Sequence, residues 1–397
     1  MAKARASKKS TSSVHGSNYR LIAPYWFLLF TIGFGWFILA PLVPALMTLL
    51  KSSLSAILLL ISVYGYVMVV LGLLAGWLSA KFTVKFALYI AAVASFIGLL
   101  GRVFSTNYLT FLIFGVIASV AFPLAMAPVG AISESQFKNR SHTIIGISVG
   151  ILFIGMAFGA FVGPQLLSGI NLFWSLLTPA ILALIALVAL AFVIGKYPTN
   201  YKGRSLKGSF KLGMIKNWYI ALAISAFAVL FGGIASTMLL HANVSQALSY
   251  GGLLGGLAFL GSGLGAIILP PIFERYNRVR VGFATTAIIA FISVTALAVY
   301  LTYSPSVLIL AFTYFLFGFF GNALYSMAMA SVVKYVKDPA QAGFATSMFS
   351  VVGNLGVAFV PVFLGPVFIS APSVAVGITV AAEFAALIIA FFLKSKQ

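Results

Sequence analysis

Acids are almost missing from this chain: its 397 residues hold four, Glu134, Glu274, Asp338 and Glu383. Cysteine is absent, and the three histidines, His15, His142 and His241, lie far apart. A metal centre gathers its ligands at short spacing, so none is expected. No Gly-rich loop runs into Lys-Ser or Lys-Thr, which removes the usual phosphate cradle, so ATP-driven pumping would need a separate subunit. No other chemical site stands out, so the chain is not read as an enzyme and no cofactor is expected. Charged residues make up 7% of the chain, against about a quarter in soluble proteins. An ordinary water-soluble domain is excluded.

What is present is apolar. The chain is 62% hydrophobic with a mean hydropathy of +1.13. Twelve apolar segments are expected, near 24–49, 54–79, 86–104, 108–133, 143–167, 172–195, 217–240, 249–273, 281–302, 306–332, 343–366 and 372–393. Each is long enough to cross the roughly 30 Å hydrocarbon layer of a bilayer, where helices pair every backbone group internally. The first run is too long for a signal peptide and lacks a cleavage site. The predicted fold is therefore an all-α polytopic membrane protein.

A net charge of +20 would fit a nucleic-acid binder only if the basic residues shared a soluble face. They sit instead in the short breaks between apolar runs, so no nucleic acid is expected and anionic lipid headgroups are the expected basic-patch partner. Placing alternate connections on alternate sides puts 22 of the 24 Lys and Arg on one side and leaves Lys51 and Arg102 for the other. The positive-inside rule makes the crowded side cytoplasmic. Both termini and a central basic stretch then face the cytoplasm of a multi-pass protein in the cell membrane. The expected units are a disordered basic tail over 1–20, six-helix bundles over 21–195 and 217–397, and a linker over 196–216, with an amphipathic segment between Gly203 and Lys211.

Sliding the chain by 197 residues lays Gly146 on Gly343, Gly159 on Gly356 and Pro164 on Pro361, the register of a six-plus-six repeat. Here the sequence resembles the major facilitator superfamily. The local match is the 2–3 loop, Gly76-Trp-Leu78-Ser-Ala80-Lys81-Phe-Thr83-Val84-Lys85, in which Ala80 stands where the family carries an acid. The corresponding 8–9 loop keeps Glu274, Arg275 and Arg278. The resemblance implies a conformational clasp at these residues, joined by Glu134 and Arg140 after the fourth segment. Lys81, Lys85 and Arg275 are equally well read as determinants of topology alone. The run Gly159-Ala-Phe-Val-Gly163-Pro164, one helical turn after Gly155, resembles the first part of the family's antiporter motif, with Leu167 and Ser168 where that motif has two glycines. Small residues at that spacing also serve close helix packing, which is the reading preferred.

The family's cavity is lined by the first, fourth, seventh and tenth helices, with the second, fifth, eighth and eleventh beside them. Candidates there are Trp36, Tyr64, Tyr66, Ser236, Thr237, Tyr314, Asn322, Tyr325, Ser326, Ser347, Ser350 and Asn354. Each of these also has a plain helix-bonding reading. Such residues suit a small neutral or amphipathic solute. The resemblance implies its facilitative or secondary-active transport by alternating access, in a monomer. No cavity helix carries an acid, which argues against the family's usual proton-coupled cycle. Glu383, inside the twelfth segment, is the candidate for a proton-coupled antiporter, the second reading. A non-transporting receptor of the same fold is the third. Arg102 is expected to snorkel to the headgroups.

Overall fold

The structure, a computed structural model, describes residues 11–137, 139–195, 205–238, 244–303 and 306–395. Those residues form fourteen α-helices and a single 3-10 turn. In chain order they are α1 (Thr11–Phe37), α2 (Val43–Leu50), α3 (Leu54–Lys81), α4 (Val84–Val103), α5 (Tyr108–Met126), α6 (Val129–Gln136), α7 (Ser141–Gly169) and α8 (Leu172–Ile194). After the linker come α9 (Ile215–Met238), α10 (Val244–Arg275), α11 (Val279–Tyr303), α12 (Val307–Val333), α13 (Pro339–Ser370) and α14 (Pro372–Ala390). Eleven spans are long and apolar enough to cross a membrane, α5 and α6 counting as one, and α1 contributes a shorter apolar stretch, Ile22–Phe37. With α1 and α2 taken together as a broken first span, the fold is twelve membrane helices in two six-helix bundles.

The starts of the helices are chemically marked. Asn107 and Asn171 accept from the amides of Thr110 and Trp174 at 2.9 and 3.1 Å, opening α5 and α8. Asp338 accepts from the Ala340 amide at 2.8 Å and is followed by Pro339 at the first position of α13. These are standard N-terminal caps that satisfy amides lacking a partner within the helix. The expected single run 24–49 is broken over residues 38–42. Pro41 has no amide to give there, and the chain tightens into three-residue turns, Ala40 N to Phe37 O at 3.2 Å and Leu42 N to Leu39 O at 3.1 Å.

Two further expectations are corrected. Helix α1 opens at Thr11, inside the stretch expected to be a disordered tail. The linker is docked over its second part: Lys207 O accepts from Gln341 Nε2 at 3.0 Å, Ser209 is buried, and Phe210 packs on Trp218. No amphipathic helix forms over 205–211, because the chain turns at Gly208, whose φ of +85° few other residues tolerate. Residues 203–204 lie outside the described residues.

The end of the bundle where α3 meets α4, α6 meets α7 and the linker leaves α8 is called the linker side. The opposite end is the far side. Within each bundle a glycine-bearing helix packs on the first helix: Gly159 of α7 meets α1 at Phe34 and Phe37, and Gly356 of α13 meets α9 at Leu222 and Ala226. These are the two positions superposed by the 197-residue repeat. The bundles then join along two seams, α7 against α10 and α3 against α13.

Candidate translocation path and its linker-side seams

Helix α7 begins without a side-chain cap of its own. Its amides are met from the other bundle. Glu274, in the last turn of α10, accepts from His142 N at 3.1 Å, Thr143 N at 2.8 Å and Thr143 Oγ1 at 2.6 Å. A carboxylate at a helix N-terminus gains from charge-assisted bonds and from the positive end of the helix dipole. Below it, Gly146 and Gly150 bring α7 onto Ala266, Gly263 and Ile267 of α10, and Phe161 closes on Gly256. The contact thus extends from Gly146 to Phe161, about 22 Å at 1.5 Å per residue. Phe37 of α1 adds an edge contact to Phe259 of α10, with ring centroids 4.2 Å apart.

The second seam uses different chemistry. Gly65, Gly72 and Gly76 of α3 face Asn354, Val351 and Ser347 of α13. Ser347 Oγ donates to Gly72 O across the seam. Gly130 of α6 lies against Ala342 and Thr346, and Thr346 Oγ1 lies 3.5 Å from Ala127 O. Ala80, at the end of α3, is buried. The start of α13 is capped by its own Asp338 rather than by the other bundle.

Between the seams, the candidate cavity residues divide. Trp36 stacks on Tyr64 at 4.8 Å, packs on Phe122 at 5.2 Å, and donates from Nε1 to Ile61 O at 2.7 Å. Tyr325 packs on Phe349 and its hydroxyl interacts with Ser350, joining α12 to α13. Ser350 and Asn354 also bond within α13, Ser350 Oγ to Thr346 O at 3.1 Å and Asn354 Nδ2 to Ser350 O at 2.9 Å. Tyr314 is buried and its hydroxyl has no hydrogen-bond partner. Asn322 donates to Ser262 of α10 at 2.7 Å and Ser326 bonds Ala323 O of its own helix at 3.0 Å. Tyr66 is a correction: it is 43% exposed, on the same stripe of α3 as Val70 and Leu73, which is an outer apolar face. Ser236 and Thr237 belong to α9, but their side chains lie outside the described residues.

Arg102 is a second correction. It does not snorkel: it is 1% exposed, one of the largest fully buried side chains, and donates from Nη1 to Gly35 O at 3.2 Å. Glu383 is also buried, in α14 beside Tyr219 of α9, with Oε1 unpartnered.

Residues 25–294 match the sequence family described as the Major Facilitator Superfamily. The chain belongs to that superfamily. Solved structures agree on the fold. The human organic anion transporter MFSD10 (TETRAN) superposes with a TM-score of 0.70 at 13% identity, covering 94% of this chain and 99% of the other. The Major Facilitator Superfamily transporter FucP in its outward conformation gives 0.68 at 16% identity, covering 95% and 100%. None of the curated proteins compared with the chain is similar enough in sequence to count as a relative.

In this superfamily member the charged loop residues separate by geometry. Lys81 lies over the Trp77 ring at 4.5 Å, at the surface. Lys85 Nζ donates to Gly195 O at 2.6 Å, at the end of α8, where a cation complements the helix dipole. Arg140 Nη1 donates to Tyr19 Oη at 3.3 Å. Arg275 and Arg278 are exposed. Glu134 is half-buried in α6. Gly155 and Gly159 lie against the α1 backbone, Gly163 lies against Pro41 and Ile38 of the break that follows α1, and Pro164 sits inside the continuous α7. The donors of the Glu274 bonds, His142 and Thr143, were not singled out from the sequence. Two of those three bonds come from backbone amides, which leave no side-chain signature.

Proposed function

We propose that this chain is a monomeric transporter of a small neutral or amphipathic solute, facilitative or coupled to another solute, working by alternating access between its two bundles. The observation that carries the reading is the linker-side seam held by Glu274. It is a bond set between bundles, made at one end of the path, that must break for that end to open. On this reading the linker side is the cytoplasmic side of the cell membrane, which the 22 basic residues assigned to it support. The bundles span 21–195 and 217–397, and anionic lipids contact the basic loops. The solute path lies between Trp36–Tyr64 of one bundle and Tyr325–Ser350–Asn354 of the other. Clasp function rests with Glu274, with Gly76 as a packing partner on the opposite seam.

The test is flux of a radiolabelled compound library in proteoliposomes, with and without a pH gradient. Saturable flux of one solute class that needs no gradient supports the proposal. Specific binding with no flux for any compound would replace it with a receptor of the same fold. The buried carboxyl of Glu383 favours one second reading, proton-coupled antiport. Gradient-driven flux abolished by Glu383→Gln would establish it, and flux indifferent to both would remove it.

A further inference from the structure

One of the chain's three histidines, His142, is the second residue of α7. It is 1% exposed, and neither Nδ1 nor Nε2 of its ring has a hydrogen-bond partner. A neutral imidazole can donate from one nitrogen and accept at the other, and buried polar groups normally use that capacity. Here it is unused.

Three groups at the ring's site belong to the other bundle. Phe283 of α11 meets the ring edge-on, with centroids 6.1 Å apart. Lys334, at the end of α12, acts on it as a like charge. Glu274 of α10 binds the His142 amide, and both its oxygens are taken by His142 N, Thr143 N and Thr143 Oγ1. That carboxylate serves the start of α7 and not the ring. Among the other charged groups on the elements packed at this end, Arg140 bonds Tyr19 and Arg280 of α11 bonds Ser395. Arg20 of α1, Arg275 of α10 and Arg278 after it are exposed, and Glu134 of α6 belongs to the same bundle as His142.

A protonated imidazole carries two N–H groups and a charge, and both donors need acceptors. The closed seam supplies no acceptor and sets a cation nearby, so it holds the neutral ring. When the bundles part at this end, Phe283, Glu274 and Lys334 withdraw together and water reaches both nitrogens. We propose that His142 is a proton-binding site of the open linker side, from which the proton is excluded when the α7–α10 seam shuts. Acid on that side therefore favours opening. The ring stands within the first turn of α7, so the proton enters and leaves at the linker side and none is carried across. The inference rests on the alternating-access reading and adds to it a control by linker-side pH.

The sign and size follow from an ordinary imidazole, which protonates near pH 6.5. With a neutral ring in the closed state and an ordinary one in the open state, the open-to-closed ratio rises as pH falls. The rise should be about threefold from pH 7 to pH 6 and about eightfold by pH 5.5, above the range where ordinary carboxylates titrate.

The experiment measures the distance between spin labels at Phe82→Cys and Tyr276→Cys, in the purified full-length chain in lipid nanodiscs, from pH 7.5 to pH 5.5. The longer distance should gain at the expense of the shorter as pH falls. His142→Asn, which takes up no proton in this range, should lose the response. His142→Phe, which keeps an apolar ring against Phe283, should stay closed throughout. Replacing His15 and His241 by Asn should leave the response whole. That double variant also gives a readout with His142 intact, because its single histidine can be followed by the ring 13C resonance. The protonated fraction should track the open fraction, and a ring protonated in the closed population overturns the proposal. Two distances whose ratio ignores pH, or responds equally in His142→Asn, overturn it and leave alternating access standing. A single distance at every pH, in the wild type and in Glu274→Ala alike, would overturn both.

Discussion

The two seams between the bundles occupy equivalent places in the repeat and are built differently. Along α7 and α10, glycines set backbone against backbone, and a carboxylate from one bundle caps a helix of the other. Along α3 and α13, the glycines of α3 meet side chains, Ala80 stands where an acid would reach across, and α13 caps itself through Asp338. The first seam can be latched by charge. The second closes by shape and short neutral bonds. On the proposed alternating-access reading, the charged bonds that break when the linker side opens lie on the α7–α10 flank.

The largest effect that would break this comparison is a wedge. Gly146→Leu drives a side chain at the Ala266 carbonyl, which cannot rotate away. Overpacking of this kind costs about 1–3 kcal/mol, and the cost falls on the linker-side-closed state. Gly76→Leu meets the movable side chains of Ser347 and Phe344 and should cost less. Because the chain has no cysteine, spin labels at Phe82→Cys and Tyr276→Cys report the distance between bundles without background. The distribution should shift to longer distances in Gly146→Leu first. Next comes Glu274→Ala. Bonds to a charged group contribute about 1.5–3 kcal/mol, so the ratio of closed to open molecules should fall roughly tenfold or more by the same measurement. A change confined to protein stability, with the distance unmoved, would mean that Glu274 is no latch. Ser347→Ala removes one neutral bond to the Gly72 carbonyl, about 0.5–1.5 kcal/mol, and should shift the distribution only slightly. Smallest is Ala80→Asp, which places an acid near the start of α13 and adds about 0.3–1 kcal/mol to closure. In the Glu274→Ala background it should recover part of the lost closed population; no recovery would show that Asp338 already satisfies that terminus.

The apolar runs announced the twelve-helix architecture because the length of a bilayer is a strong filter on sequence. What they concealed follows from the same solvent. Lipid and protein interior are both apolar, so periodicity could not separate the outer face of α3, where Tyr66 lies, from the buried face one residue pair away at Tyr64. Pro41 lay inside an unbroken hydrophobic run, and nothing local told the break at 38–42 from a tolerated bend. Arg102 was read by its distance from the helix end, whereas the helix rotation that turned it inward depends on neighbours distant in sequence. Glu274 was legible as an acid, but its partners were backbone amides. Residue type says little about those.

The glycine rows have a thermal consequence. A contact between bare backbone surfaces freezes few rotamers when it forms, whereas a Lys or Met ordered in such a seam would lose up to about 1.5–2 kcal/mol of side-chain freedom. Opening and reclosing at Gly146, set on the Ala266 carbonyl, and at Gly150, set on the Gly263 carbonyl, therefore releases little side-chain disorder in either direction. On the proposed alternating-access reading, the share of the balance held at those two contacts should be nearly flat in temperature.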